Sequence, residues 1–225
     1  FSEALAPCGF DSKAFVACYG MAECVLAVSF AKLDSGLSVD YVDQEIMSNT
    51  GEASVVEPDS ENVAAYVDCG PALAGFEYSI RDAHGEEVAE RQCGEILLKG
   101  PSVMSGYFRD EESTAAVLSD DGWLDTGDIG YRVGDNIYIT ARSKDVIIIK
   151  GRNIWPNDME VLAQRVENVR LGGVAAFSIV GFGGAELAVM VVETKERDSA
   201  ARSKLTHSIT ELMHEHFGIN VIIDL

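Results

Sequence analysis

Ala141-Arg142-Ser143-Lys144-Asp145-Val146-Ile147-Ile148-Ile149-Lys150-Gly151-Arg152-Asn153-Ile154-Trp155-Pro156 is the stretch where the chain changes its grammar. A charged tetrapeptide, Arg142 to Asp145, runs into a fully apolar strand over 146–149. Pro156 then opens a helix, since its fixed φ and missing N–H suit the first helical position. Asp158 and Glu160 in the first turn favour the positive end of the helix dipole. Apolar Val161, Leu162 and Val166 mark one face of that helix. Strands over 174–180 and 187–193, a helix over 199–217 and a strand over 220–223 complete an α+β unit of about 80 residues, a plausible domain size.

Upstream the pattern is different. Apolar runs at 15–19 and 25–31 read as short strands, the first stopping at Gly20. From 32 to 68 the pattern weakens, with Gly36, Asn49, Gly51 and Pro58 among scattered acids, and it reads as a long excursion carrying one short strand or helix. Alternation returns at 76–80, followed by the turn Asp82-Ala83-His84-Gly85 and a strand over 94–99. Asp110 caps a helix with its body over 113–118. A meander follows, with strands over 129–132 and 137–140 about a turn at Gly134-Asp135-Asn136. The fold class is therefore α+β: a small antiparallel sheet or barrel, then a smaller α+β unit. The expected boundary divides 1–143 from 144–225.

Composition narrows the function. Of 225 residues 47% are hydrophobic and 24% charged, which excludes a disordered tail. The net charge is −20, from 17 Lys and Arg against 37 Asp and Glu, and a field of that sign repels nucleic acid and anionic lipid. The imbalance is concentrated upstream: residues 145–225 hold 8 basic and 11 acidic groups, residues 1–144 hold 9 and 26. Five cysteines without a Cys-x-x-Cys pair suggest neither a disulfide framework nor a zinc site, and free thiols suit a reducing cytoplasm. No apolar run approaches the ~18 residues that cross a bilayer. Phe1-Ser2-Glu3-Ala4-Leu5 has neither a Met nor a basic leader, and the expectation is a piece of a longer chain.

Three segments carry chemistry. Trp123-Leu124-Asp125-Thr126-Gly127-Asp128-Ile129 places a carboxylate at a strand edge, where it accepts from a vicinal diol such as ribose or simply closes a turn. In Tyr19-Gly20-Met21-Ala22-Glu23 the glycine admits a flat ligand to the backbone, the ring can stack on a base, and Glu23 can hold magnesium. The same segment also reads as a plain strand-to-helix turn. The 141–160 stretch reads as a hinge or as an ordinary linker. By contrast, Gly181-Phe182-Gly183-Gly184 reads as a hairpin turn, because the third glycine of a dinucleotide loop would fall at Glu186. His207, His214 and His216 are spaced as surface residues rather than as ligands of one metal.

Taken in order, Tyr-Gly-x-x-Glu, then Thr-Gly-Asp, then Arg-x-Lys-Asp with Gly-Arg-Asn and Pro-x-Asp-x-Glu, the chain resembles the adenylate-forming superfamily of acyl-CoA synthetases, luciferases and adenylation domains. Gly94-Glu95-Ile96 and Gly106-Tyr107-Phe108 are similar to its middle section. Gly151 to Glu160, and Ala22 before the motif glutamate, look most like the fatty acyl-AMP ligase branch. That resemblance implies ATP and magnesium as cofactors, a fatty acid as substrate, and an acyl carrier protein as acceptor. Coenzyme A is the acceptor in the nearest alternative, and a non-catalytic adenylate-binding or carrier-docking protein is the rival from another class. It further implies that Tyr19, Gly20 and Met21 line the adenine and α-phosphate, that Glu23 binds magnesium, that Asp128 holds the ribose with help from Arg142, and that Lys144 is the hinge. Ala141 departs from the usual Gly before Arg142. On this reading 1–143 ends a large ATP- and acyl-binding domain and 144–225 is most of a lid, with the phosphate loop and the terminal catalytic lysine outside the chain.

Overall fold

The computed structural model describes residues 1–149, 151–181 and 186–225. In chain order the elements are α1 (Ser2–Leu5), β1 (Cys18–Gly20), β2 (Ala27–Phe30), β3 (Val39–Asp43), α2 (Gln44–Thr50), β4 (Val63–Pro71), β5 (Glu77–Arg81), β6 (Gly94–Lys99), α3 (Glu111–Val117), β7 (Leu124–Val133), β8 (Asn136–Arg142), β9 (Ile147–Ile149), β10 (Arg152–Ile154), α4 (Pro156–Ala163), β11 (Val169–Val180), β12 (Glu186–Thr194), α5 (Ser199–Phe217) and β13 (Val221–Asp224). They form two compact units: Phe1–Asp43 with Gly51–Thr140, and Gln44–Thr50 with Ala141–Leu225. The helix α2 thus belongs to the second unit although both its neighbours in sequence belong to the first. Among the described residues no helix is long and apolar enough to cross a membrane.

The first unit is built on a six-stranded sheet in the order β3-β4-β8-β7-β6-β5, with β1 and β2 as a separate antiparallel pair. The sheet is open, with β3 and β5 at its edges, so the sheet alternative holds and the barrel does not. Its core gathers Tyr19, Cys24, Val28, Ile80, Ile96, Leu98, Leu124 and Ile137. Strand alternation buries the aliphatic members, each worth roughly 1.5–3 kcal/mol, while Cys24 comes from the turn after β1. On the other side of the unit Asp40 accepts from Arg91 Nη1 at 2.9 Å and from the Tyr131 hydroxyl at 2.8 Å. Tyr131 is fully buried and stacks on Tyr138 at 4.9 Å.

In the second unit β11 and β12 pair antiparallel while β12 and β13 pair parallel, and β9 and β10 form a small hairpin. Helices α4 and α5 supply Met159, Leu162, Ala163, Leu205, Ile209, Met213 and Phe217 to a core shared with Ile147, Ile154 and Met190. The helix α5 is started by Asp198, which accepts from Ala201 N, and stopped by Gly218 at φ +65°. On α4, Val161 is 46% exposed, so of the face expected from sequence Leu162 and Val166 meet the core and Val161 does not, with Met159 and Ala163 buried beside them. His207, His214 and His216 are exposed, as expected. The expected hairpin turn falls at Gly181 and at Phe182, Gly183 and Gly184, of which the last three lie outside the described residues.

Candidate functional site

Alternation along β7 buries Leu124, and it buries Thr126 and Asp128 with it. The turn expected at Thr126-Gly127-Asp128 is a bulge within this one long strand. Between the pairs Glu95↔Ile129 and Leu97↔Asp125, β7 spends more residues than β6, and Gly127 at φ +68° absorbs the excess. The bulge is fastened internally. Thr126 Oγ1 donates to Ile96 O at 2.8 Å and accepts from Asp128 N at 3.1 Å, while Asp125 Oδ1 accepts from Gly127 N at 2.9 Å. A carboxylate is thereby fixed on a buried face, where it needs donors.

One donor comes from a strand 109 residues away. The Tyr19 hydroxyl donates to Asp128 Oδ2 at 2.6 Å, joining two of the motifs singled out by sequence. Tyr19 is the buried middle residue of β1. The next residue turns the chain sharply: a Cβ at Gly20 would stand 1.8 Å from Leu26 O. The missing side chain at Gly20 is thus required by the protein's own backbone, whatever else approaches it.

After Gly20, Met21 is extended and a single 3-10 turn, Ala22–Cys24, follows. It ends at Val25, a β-branched residue at φ +72° that donates its N–H to Ala22 O. Such a conformation costs of order 1–3 kcal/mol and concentrates at functional sites. Glu23 lies in this turn. Its Oε1 accepts from the Tyr107 hydroxyl at 3.0 Å, and its carbonyl accepts from Met104 N at 2.7 Å. Ser102 Oγ donates to Cys24 O at 3.2 Å, so the 102–107 segment clasps the glutamate turn. The bond to Glu23 also pushes the Tyr107 phenol above its ordinary pKa, so it stays a donor at neutral pH.

Tyr19, Gly20, Met21, Glu23 and Asp128 all lie in the first unit, whereas Arg142 and Lys144 lie in the second. Arg142 ends β8, and its carbonyl accepts from Asp145 N and Val146 N, making a tight turn with Lys144 exposed on it. Sequence reasoning names Thr126 and Tyr107 only as members of the Thr126-Gly127-Asp128 and Gly106-Tyr107-Phe108 motifs, not as donors.

The donor chemistry at Glu23 fits magnesium, which takes oxygen ligands and is bound by one or two carboxylates plus substrate phosphates. Among the described residues no three His, Cys, Asp or Glu side chains converge. An ion here would have at most one further carboxylate, imidazole or thiolate beside Glu23 among the described residues.

Residues 2–108 match the family described as AMP-binding enzyme. Over that stretch the chain is similar to this adenylate-forming family. It is 43% identical, over 100% of its length and 39% of the relative's, to a Caulobacter vibrioides protein provisionally named an acyl-CoA synthetase. It is 33% identical to a long-chain-fatty-acid–AMP ligase of Mycolicibacterium smegmatis, over 80% of this chain and 31% of that one. A solved structure from a study of fatty acyl-adenylate ligases of E. coli and L. pneumophila superposes with a TM-score of 0.88 at 38% identity, covering 100% of this chain and 40% of that one. The L. pneumophila ligase in complex with acyl adenylate and pyrophosphate matches with a TM-score of 0.60 at 28% identity, covering 99% and 41%. The chain thus spans about two fifths of the length of the first relative it matches.

Proposed function

We propose that this chain is part of a fatty acyl-AMP ligase, which joins a fatty acid to ATP as acyl-adenylate and passes the acyl group to an acyl carrier protein. The observation that carries this reading is the 2.6 Å bond between Tyr19 and Asp128, which brings the base-stacking and ribose-holding candidates to one place. In the reaction a carboxylate oxygen attacks the α-phosphorus and pyrophosphate leaves. Asp128 accepts from the two ribose hydroxyls, for which a carboxylate has the acceptor chemistry. Tyr19, Gly20 and Met21 line the base and α-phosphate. Glu23 would hold magnesium, which supplies neutralisation of the anions that the attack brings together. Residues 1–143 would end the large ATP- and acyl-binding domain and 144–225 would form the lid, although Gln44–Thr50 and residues 141–143 cluster with the second compact unit. Arg142 assists at the ribose, and Lys144 is the hinge about which the lid turns between half-reactions. Free cysteines and the acidic surface support a cytoplasmic enzyme.

The 43% identical relative's name favours a second reading, in which coenzyme A is the acceptor. Mass spectrometry separates the two. The complete protein is incubated with ATP, magnesium and mixed-length fatty acids, with and without coenzyme A. Acyl-adenylate that persists beside coenzyme A is the expected result. Conversion to acyl-CoA establishes the second reading, and absence of both products rejects the enzyme for fatty acids.

A further inference from the structure

Tyr107 is placed with more care than a surface tyrosine needs. Asp110 caps α3 by accepting from Ser113 N at 2.9 Å, and Thr114 Oγ1 in that helix donates to Asp110 O at 2.7 Å. The same Thr114 Oγ1 accepts from Tyr107 N at 2.9 Å, which fixes the tyrosine backbone to the helix. A Cβ at Gly106 would come within 2.8 Å of Thr114, so the preceding residue is small where the loop meets the helix. The hydroxyl then reaches 84 residues back along the chain to Glu23 Oε1.

This bond is not required to hold the loop on the turn. Met104 N to Glu23 O and Ser102 Oγ to Cys24 O already do that through backbone carbonyls. Nor does it satisfy a buried hydroxyl, because Tyr107 is 38% exposed. Its target is one oxygen of a carboxylate whose other oxygen remains for a ligand. Ligating carboxylates are commonly oriented by such hydrogen bonds.

We propose that Tyr107 is a positioning residue that orients the Glu23 carboxylate for a divalent cation. The proposal rests on the reading of Glu23 as a metal ligand. Loss of an orienting partner typically costs 10–100-fold in metal affinity, and partial exposure of Tyr107 puts the expected loss at about tenfold.

The test uses Mn2+ as the probe, titrated into the complete protein saturated with α,β-methylene-ATP and followed by water proton relaxation. Tyr107→Phe should weaken Mn2+ binding about tenfold with an unchanged melting temperature. Glu23→Gln should weaken it at least as much, and adding Tyr107→Phe to it should change little. Wild-type Mn2+ affinity in Tyr107→Phe overturns the proposal while leaving Glu23 a ligand. So does a loss of affinity that tracks a lowered melting temperature, which would make the tyrosine structural. Unchanged affinity in Glu23→Gln overturns both the proposal and the reading beneath it.

Discussion

Replacing Asp158 by Asn should flatten the pH dependence of the second unit. Asp158 sits in the first turn of α4, where its Oδ2 is sealed from solvent and has no hydrogen-bond partner among the described residues. Burial pushes its pKa from 3.8 up to about 6, against the opposing effect of a hydrogen bond from Gln44 of α2. The folded unit therefore holds this proton more tightly than the unfolded chain does. The stability from that proton is complete below pH 4 and disappears as pH rises through 6. A shift of this size corresponds to roughly 3 kcal/mol, and the residue's partial solvent contact trims the expectation to about 2 kcal/mol. The assay is urea unfolding followed by Trp155 fluorescence in a Trp123→Phe background, between pH 4.5 and 7.5. Asp158→Asn should gain on its parent by about 2 kcal/mol across that range. Parallel pH profiles for the two proteins would refute the argument, because Asp158 would then titrate alike folded and unfolded.

Three further outcomes follow from packing and pairing. Gly20→Ala should destabilise the first unit by about 3 kcal/mol or more in urea unfolding, since the new methyl overlaps the Leu26 carbonyl and backbone must move; wild-type stability would mean the turn yields freely. Asp40→Ala should cost about 2–3 kcal/mol, because it leaves the buried Tyr131 hydroxyl unpaired, while the partly exposed Arg91 keeps its bond to Ala53 O; a loss below 1 kcal/mol in the same assay would show the network to be dispensable. Asp128→Asn should weaken AMP binding by about 1.5–3 kcal/mol, the worth of hydrogen bonds to a charged group, in isothermal titration; unchanged affinity would remove Asp128 from the ribose site.

Much of the fold is legible where its causes are local. The strand β6 and the helix α5 fall where alternation and helical spacing put them, and Asp110 caps α3 as its residue type suggests. The Asp82 turn also closes as expected, with Gly85 N donating to Asp82 O. The 32–68 stretch was opaque for a physical reason. β3 is an edge strand whose residues are mostly half-buried, so no clean alternation marks it. Nothing local tells α2 that its partners lie a hundred residues ahead.

The site divides in the same way. Short motifs single out Tyr19, Glu23 and Asp128 because the proposed chemistry would call for those residue types. Their mutual placement is a tertiary result, set by a bond across 109 residues and a strand bulge that a single glycine permits. The bond from Tyr107 to Glu23 is not legible in the sequence, because a tyrosine beside a helix cap carries no signal until its hydroxyl meets a carboxylate.

Exchange of labelled pyrophosphate into ATP tests the central claim most directly, because it reads the reversal of adenylate formation and needs no acceptor. With the complete protein, label should enter ATP only when fatty acid and magnesium are both present, and Asp128→Asn should slow it. No exchange with fatty acids of any chain length, in protein that still binds ATP, would contradict the assignment and leave a nucleotide-binding protein without the chemistry.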